Sequence, residues 1–349
     1  MEARFYRKLK KGIVICESCQ HFCSLLPGEF GKCGVRKNQN GKLISLVYGR
    51  VSALGIDPIE KKPFYHFLPG SFAYSIGTVG CNFACLFCQN WQLSQISKKN
   101  PPLFEGSQEE RISVALEEAK NLTPTDIVKE AEKVGCQSIA YTYSEPTVFS
   151  EFALDTAREA KKVGLKNLWV SNGFFSERVL KEVIKLVDAV NIDLKSFKDS
   201  TYQKVSQARL QPVLENIKAL KKAGTWVEVT TLLIPRLNDS SKELEGMAEF
   251  LAGVSPEIPW HLSAYWPAYV ASWPATSLED LEKAYQIGKK AGLYYVYIGN
   301  LTSDKENTYC PNCQKLLIKR EGYFIYKNYL SSNKCPFCQT KIAGVWQGG

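Results

Sequence analysis

The chain of 349 residues has no Walker-type GxxxxGK(S/T) loop, no repeat of fixed period and no low-complexity run. Phosphate-loop, solenoid and low-complexity architectures are therefore set aside. The first ten residues, Met1 to Lys10, hold no apolar core, so no signal peptide is predicted. Residues 63–97 and 258–278 lack Asp, Glu, Lys and Arg altogether, but Pro69, Gly70, Asn82 and Gln89 interrupt the first stretch and Pro259, Pro267 and Pro274 the second. Neither reads as a bilayer segment, and no membrane partner is expected.

Acidic residues are scarce at both ends. Residues 1–50 carry ten Lys/Arg against three acids and residues 305–349 seven against two, so the formal net charge of +9 belongs to the termini and the middle is slightly acidic. Both ends are also rich in Cys, and two divalent metals each held by four thiolates would offset about two charges per site. That shrinks the apparent signal for nucleic acid. With twelve Cys a secreted disulfide framework is conceivable, but the residues cluster at metal-ligand spacings, which fits metal binding in a reducing cytoplasm better.

Three Cys groups stand out. Cys81-Asn-Phe-Ala-Cys85-Leu-Phe-Cys88 spaces three thiols x3 then x2 and has no nearby fourth, which suits three irons of a cubane cluster with the fourth left open. A zinc knuckle or three core thiols is the plain alternative. Cys310, Cys313, Cys335 and Cys338 form two CxxC pairs 21 residues apart, a zinc-ribbon signal with rubredoxin-like iron as its rival. Cys16, Cys19, Cys23 and Cys33 allow four thiolates to converge. Zinc is the first choice there, and a second Fe–S cluster that relays electrons is the alternative. Cys136 stands alone and reads as a core residue.

The organisation is α/β. Residues 1–68 form a loop-rich, Cys-rich metal-binding element too small to bury much core unaided. Residues 69–302 alternate β runs (72–78, 138–143, 167–171, 188–193, 226–233, 260–264, 294–298) with helical periodicity at 124–134, 149–163, 177–187, 210–223, 240–252 and 278–291. Thr123-Pro-Thr-Asp126 predicts an N-cap, and Gly135, Gly164, Gly224 and Gly292 fall where helices end. Such βα units imply a parallel sheet curled into a whole or partial barrel, with chemistry at the carboxyl ends of its strands. Residues 303–349 form the ribbon, expected to be separable from the barrel.

Polar groups gather at those strand ends: Tyr143-Ser144-Glu145-Pro146, Ser171-Asn172-Gly173, Asp193-Leu-Lys195, and His261 within its strand. Each has a structural reading: Ser144 and Asn172 as helix caps, Asp193 and Lys195 as an ion pair, His261 as a satisfied core histidine. Together they make a polar rim beside the Cys81–Cys88 loop. His21 could substitute as a zinc ligand, and His66 reads as a strand-entry histidine or a substrate-side acid or base.

The Cys loop after a buried strand, with Phe87 before its third Cys, resembles the radical S-adenosylmethionine (SAM) enzymes. Asp57–Pro63, Gly80–Trp91, Tyr141–Thr147, Asn191–Lys195, Ile234–Asp239 and Tyr295–Asn300 narrow the resemblance to the pyruvate formate-lyase activating enzyme group, and within it to the radical SAM member of the AmmeMemoRadiSam system. The resemblance implies a partial (β/α)6 radical SAM barrel with Cys-rich metal-binding elements at both ends. It implies that Cys81, Cys85 and Cys88 hold a [4Fe–4S] cluster and that SAM chelates the open iron. Ser144 and Glu145 would meet the methionyl amine, Asn172 and Gly173 the ribose, Asp193 and Lys195 the ribose or carboxylate, and His261 would lie near the cofactor.

The activity implied is reductive cleavage of SAM to a 5′-deoxyadenosyl radical that takes hydrogen from a substrate, so no Ser/His/Asp arrangement is expected. Flavodoxin or ferredoxin as electron donor and Memo-like and AmmeMemo-type partner proteins follow from the same resemblance. The alternatives are a zinc-stabilised nucleic-acid-binding protein, and radical SAM modification of RNA or of a glycyl-radical enzyme.

Overall fold

Seven β runs of the middle region pair side by side in the order in which they occur in the chain. The computed structural model describes residues 1–346. Its main sheet has eight strands: β1 (Ala53–Pro58), β2 (Phe72–Gly77), β3 (Ser138–Tyr141), β4 (Lys166–Ser171), β5 (Ala189–Asp193), β6 (Trp226–Leu233), β7 (Trp260–Ala264) and β8 (Val296–Gly299). From β2 to β8 every pairing is parallel, whereas β1 pairs antiparallel with β2 at the edge. The parallel strands are nearly all buried, because helices cover the outer face and the inner face closes around a cavity.

Six long helices connect them: α1 (Pro124–Lys133), α2 (Ser150–Lys162), α3 (Glu177–Leu186), α4 (Gln211–Lys222), α5 (Ser241–Val254) and α6 (Leu278–Lys290). At the start of α1, Thr123 Oγ1 accepts from Asp126 N at 3.2 Å while Thr123 N donates to Asp126 Oδ2 at 2.8 Å, so the expected cap is a reciprocal one. Gly135, Gly164, Gly224 and Gly292 all take positive φ. Three further helices, Trp91–Ser94, Gln108–Glu117 and Asp199–Ser206, have no counterpart in the sequence reading. No helix among the described residues is long and apolar enough to cross a membrane.

The boundary expected at residue 68 does not follow the sheet. Strand β1 lies within the first 68 residues yet contributes six cross-strand pairs to the main sheet, so the part outside that sheet ends before Ala53, and its Phe5, Val35 and Val47 still pack into the barrel core. That part is a three-stranded sheet (Tyr6–Lys8, Val14–Cys16, Ser24–Leu25) and a hairpin (Arg36–Gln39, Lys42–Ser45). It is clamped to α2 by a buried, bidentate pair, Arg36 Nη1 to Glu151 Oε1 at 2.9 Å and Nη2 to Oε2 at 2.5 Å. A guanidinium and carboxylate so deeply buried hold together only when both ends are matched.

The C-terminal segment is a three-stranded antiparallel sheet (Thr308–Tyr309, Leu316–Glu321, Phe324–Asn328). It is not separable from the barrel, contrary to expectation. Tyr65, Tyr295 and Tyr297 share one buried cluster with Leu317, Ile318, Ile342 and Trp346. Arg320, 1 % exposed, reaches across to donate to Tyr65 O at 2.9 Å and stacks over the Tyr65 ring. His66 joins the same seam through Ala343 O (2.7 Å) and the Tyr297 hydroxyl (2.6 Å), which settles it as a structural residue.

Two outcomes follow from this shared core. Leu317→Ala should cost about 3 kcal/mol, and calorimetry should show one unfolding transition that shifts as a whole. Two transitions, one unmoved, would contradict a common core. Burial lowers the His66 imidazole to about 4, against about 6.5 in an unfolded chain. The neutral ring is thus the stable folded form, and its contribution is complete above pH 6.5 and falls away toward pH 4, by up to about 3 kcal/mol. A His66 ring that titrates near pH 6.5 by NMR would rule this out.

Candidate functional site

The loop after β2 carries Cys81, Cys85 and Cys88 over the carboxyl ends of the parallel strands. It opens with Gly80 at φ +98°, where a Cβ would stand 2.7 Å from Val35 Cγ1, so the loop leaves the strand only because this residue has no side chain. All three thiols line a cavity of about 740 Å³. The strand-end residues Ser144, Glu145, Asn172, Asp193, Lys195 and His261 line the same cavity.

Gly173 does not line it. Its left-handed backbone (φ +72°) packs against Ile192 and Val213, where a Cβ would come within 2.9 Å and 3.1 Å of their methyl carbons. The glycine is needed for the turn.

Each thiol sulfur has a polar neighbour. Phe83 N donates to Cys81 Sγ at 3.3 Å, Cys85 Sγ lies 3.2 Å from Ser206 Oγ, and Cys88 Sγ lies 3.0 Å from Ser94 Oγ. Burial pushes the Cys81 and Cys85 thiols up, so both are protonated until a cation displaces the proton. Lys195 Nζ pairs with Asp193 Oδ2 at 3.0 Å. Burial alone would lower this ammonium, but the charge of Asp193 holds it raised.

Glu145 is 3 % exposed. Its Oε1 accepts from Thr147 N (3.0 Å), the Thr147 hydroxyl and Ser171 Oγ (2.8 Å), whereas Oε2 accepts only from Asn172 N (2.8 Å). Burial raises its pKa in spite of these donors, so a cation at Oε2 would be welcome. Beside it Ser144 Oγ is buried without a hydrogen-bond partner, and Tyr143 is held at φ +66° by Asn90 Nδ2 on its carbonyl at 2.8 Å. An orphaned hydroxyl, a half-filled carboxylate and three convergent thiols fit a cluster plus an amine-bearing ligand.

Asn172 has a bracing contact besides its place on the cavity wall: its Nδ2 donates to Asn82 Oδ1 at 2.7 Å, tying the Cys loop to the end of β4. The sequence reading missed Glu228, fully buried in β6, which accepts from Tyr65 N, His66 N, Trp226 Nε1 and His261 Nε2 at 2.6–3.0 Å. An acid inside a parallel-sheet strand was the available signal. It also missed Lys98, whose Nζ donates to the carbonyls of Cys81 and Lys32. Lys98 is the first charge after the charge-free run 63–97.

The model of the radical SAM superfamily matches residues 75–251, half the chain, including the Cys loop and strands β3 to β6. The chain belongs to the radical SAM superfamily. It is a radical SAM enzyme, and membership implies a [4Fe–4S] cluster and SAM. It is 41% identical over 346 residues, 98% of each chain, to the uncharacterized protein MJ0808 of Methanocaldococcus jannaschii. A shorter match, 29% identical over 108 residues, covers 31% of this chain and 33% of the benzylsuccinate synthase activating enzyme of Thauera aromatica. Among solved structures, a domain of pyruvate-formate lyase-activating enzyme from Bacteroides vulgatus is 24% identical, covers 47% of this chain and 99% of that one, and has a TM-score of 0.42. The nucleic-acid-binding reading, in which all three Cys groups are structural, is thereby displaced.

The four sulfurs of Cys310, Cys313, Cys335 and Cys338 lie within 4.8 Å of one another and form a second, separate metal-binding group.

For Glu145→Gln, the amide nitrogen must face Asn172 N–H or give up the donors at Oε1. The variant should lose about 1–3 kcal/mol of stability and bind SAM at least about tenfold more weakly. Calorimetry and SAM titration on the cluster-loaded protein check both. Unchanged affinity would take Glu145 out of the site, and an unchanged melting temperature would contradict its buried hydrogen bonds.

Proposed function

We propose that this protein is the radical SAM member of an AmmeMemoRadiSam system. In this reading Cys81, Cys85 and Cys88 hold the catalytic cluster, and the cavity they share with Ser144, Glu145, Asp193, Lys195 and His261 holds SAM and a substrate. The cavity is the observation that carries the reading. When reduced, the cluster supplies one electron that cleaves the S–C5′ bond of SAM, and the resulting radical takes hydrogen from the substrate.

The chain's own residues bind, orient and enclose. Glu145 Oε2 and Ser144 Oγ receive the methionyl ammonium, and the Asp193–Lys195 pair offers one acceptor and one donor to ribose and carboxylate. Asn172 positions the Cys loop through Asn82. Glu228, saturated by donors, fixes the His261 ring with its Nε2 hydrogen turned to the carboxylate, leaving Nδ1 as the remaining polar atom.

The stretches Asp57–Pro63 and Tyr295–Asn300 support the narrower family reading, since they contribute Glu60, Lys61, Gly299 and Asn300 to the cavity wall. Memo-like and AmmeMemo-type proteins are the proposed pathway partners, and flavodoxin or ferredoxin the electron donor. Zinc is proposed for the C-terminal group. Its sulfur pairs stand 3.6 Å and 3.7 Å apart, and the edge of a zinc tetrahedron with Zn–S near 2.3 Å is about 3.8 Å.

A second reading, modification of RNA, has one observation in its favour. On the ribbon Tyr326, Tyr329 and Phe337 are exposed, each with a lysine ammonium 4.6–4.9 Å from its ring: Lys319, Lys327 and Lys315. Stacking rings among cations suit single-stranded nucleic acid.

Anaerobic, iron-loaded protein reduced with dithionite should convert SAM to 5′-deoxyadenosine and methionine. The same protein with Cys81, Cys85 and Cys88 changed to Ala should not. Iron-loaded protein that binds SAM but forms no 5′-deoxyadenosine would sink the proposal, and salt-dependent RNA binding lost in Tyr326→Ala would favour the second reading.

A further inference from the structure

The N-terminal thiols form a group of their own, behind the catalytic loop. Cys16 ends its strand, with Cys16 N donating to Cys23 O at 2.9 Å, and Cys19 bridges to Phe175. A Cβ placed on Gly31 would stand 3.7 Å from Cys33 Sγ and 3.9 Å from Cys23 Sγ, so these two sulfurs face the same turn. All four residues line a single void of about 10 Å³.

Two observations distinguish this group from the ribbon. The ribbon sulfurs are drawn together within 4.8 Å, but among the described residues no three of Cys16, Cys19, Cys23 and Cys33 meet that limit. Four sulfurs at tetrahedral zinc distance also leave no room at their centre, whereas the void here has space for a water-sized sphere. Cys81, Cys85 and Cys88 are spread in the same way and do not meet the limit either. In a cubane each thiolate binds a different iron, so its sulfurs stand farther apart than around one ion. The sequence-based preference for zinc at this group gives way to that geometry.

The surroundings suit an anionic group in contact with the catalytic loop. Arg36, 1 % exposed, stands beside Cys16 and Cys33. His21 Nε2 lies 2.9 Å from the carbonyl of Asn82, and the hydroxyl of Ser97 donates to Cys33 O at 2.8 Å. Lys98 Nζ touches the carbonyl of Cys81 on one side and that of Lys32 at 3.0 Å on the other, so one ammonium stands between the two thiol groups.

We infer that Cys16, Cys19, Cys23 and Cys33 hold a second [4Fe–4S] cluster, which passes electrons to the catalytic one. With four thiolate ligands it has no open iron for SAM, so electron transfer is the role left to it. One electron enters from a low-potential one-electron donor protein, reduces this cluster, moves to the catalytic cluster and ends on SAM. There the S–C5′ bond breaks to methionine and the 5′-deoxyadenosyl radical. Both clusters return to their oxidised state, and no proton is transferred. The relay role rests on the SAM-cleavage reading, but the presence of the cluster does not.

The full chain, purified anaerobically, is assayed for iron and zinc and by electron paramagnetic resonance after reduction with dithionite. About eight irons and one zinc per chain are expected. Protein with Cys81, Cys85 and Cys88 changed to Ala should keep about four irons and a reduced-cluster signal while losing SAM cleavage. Cys16→Ala/Cys19→Ala protein should lose about four irons, keep its zinc, and still cleave SAM with dithionite but far more slowly with flavodoxin as donor. About four irons and two zincs in the unaltered chain, or no iron in the triple variant, would overturn the second cluster. The triple variant leaves the N-terminal residues intact, so the test stands even if the double variant fails to fold. Equal rates with flavodoxin in the double variant would overturn the relay alone.

Discussion

A loop that sets three separate sulfurs on one cavity wall cannot spend its backbone on regular secondary structure, so its polar groups have to be satisfied from outside. Between Gly80 and Cys88 this is done from every side. Ala84 N and Leu86 N donate to the carbonyls of Ser206 and Val205, at the end of helix Asp199–Ser206, and Gly80 N donates to Leu93 O. The carbonyl of Cys81 receives Lys98, that of Asn82 receives His21, and the Asn82 side chain receives Asn172. The loop is thus fixed by the N-terminal element, by β4 and by the helix after β5 together. Much of the surrounding architecture can be read as what this loop requires.

Glu228 performs a comparable service on the opposite wall. Its four donors come from two residues that precede the barrel and from β6 and β7, and His66, one of the four, continues the chain of bonds to Ala343 near the C-terminus. Burial alone would raise this carboxyl, but its bond to His261 holds it lowered. A buried carboxylate with every acceptor position filled rigidifies what it joins.

The parallel strands were legible because each is a short β-branched or aromatic run bounded by a glycine or a polar turn, and their helices because of period and caps. Strand β1 was not: Ala53-Leu-Gly-Ile-Asp-Pro58 contains Gly55 and Pro58, both weak strand formers, and only pairing at the sheet edge makes it one. Helix Gln108–Glu117 carried a visible signal in Ser107 and Glu110, which form a reciprocal cap. In the site, thiols were legible from spacing alone, since ligand chemistry restricts it. Roles that depend on where a side chain points were not. Gly173 packs its turn against Ile192 and Val213, and Asn172 braces the Cys loop while it lines the cavity, and neighbours remote in sequence decide both.

Arg320 and Tyr323 come from the ribbon, Glu60 and Tyr65 from before the barrel, and the cavity needs all of this material: Glu60, Tyr65, Glu306 and Tyr323 lie on its wall, and Arg320 packs behind them. The parallel strands supply the floor of the cavity, while segments from near both ends of the described chain complete its wall. A change in either end would therefore reshape the cavity without touching the strands.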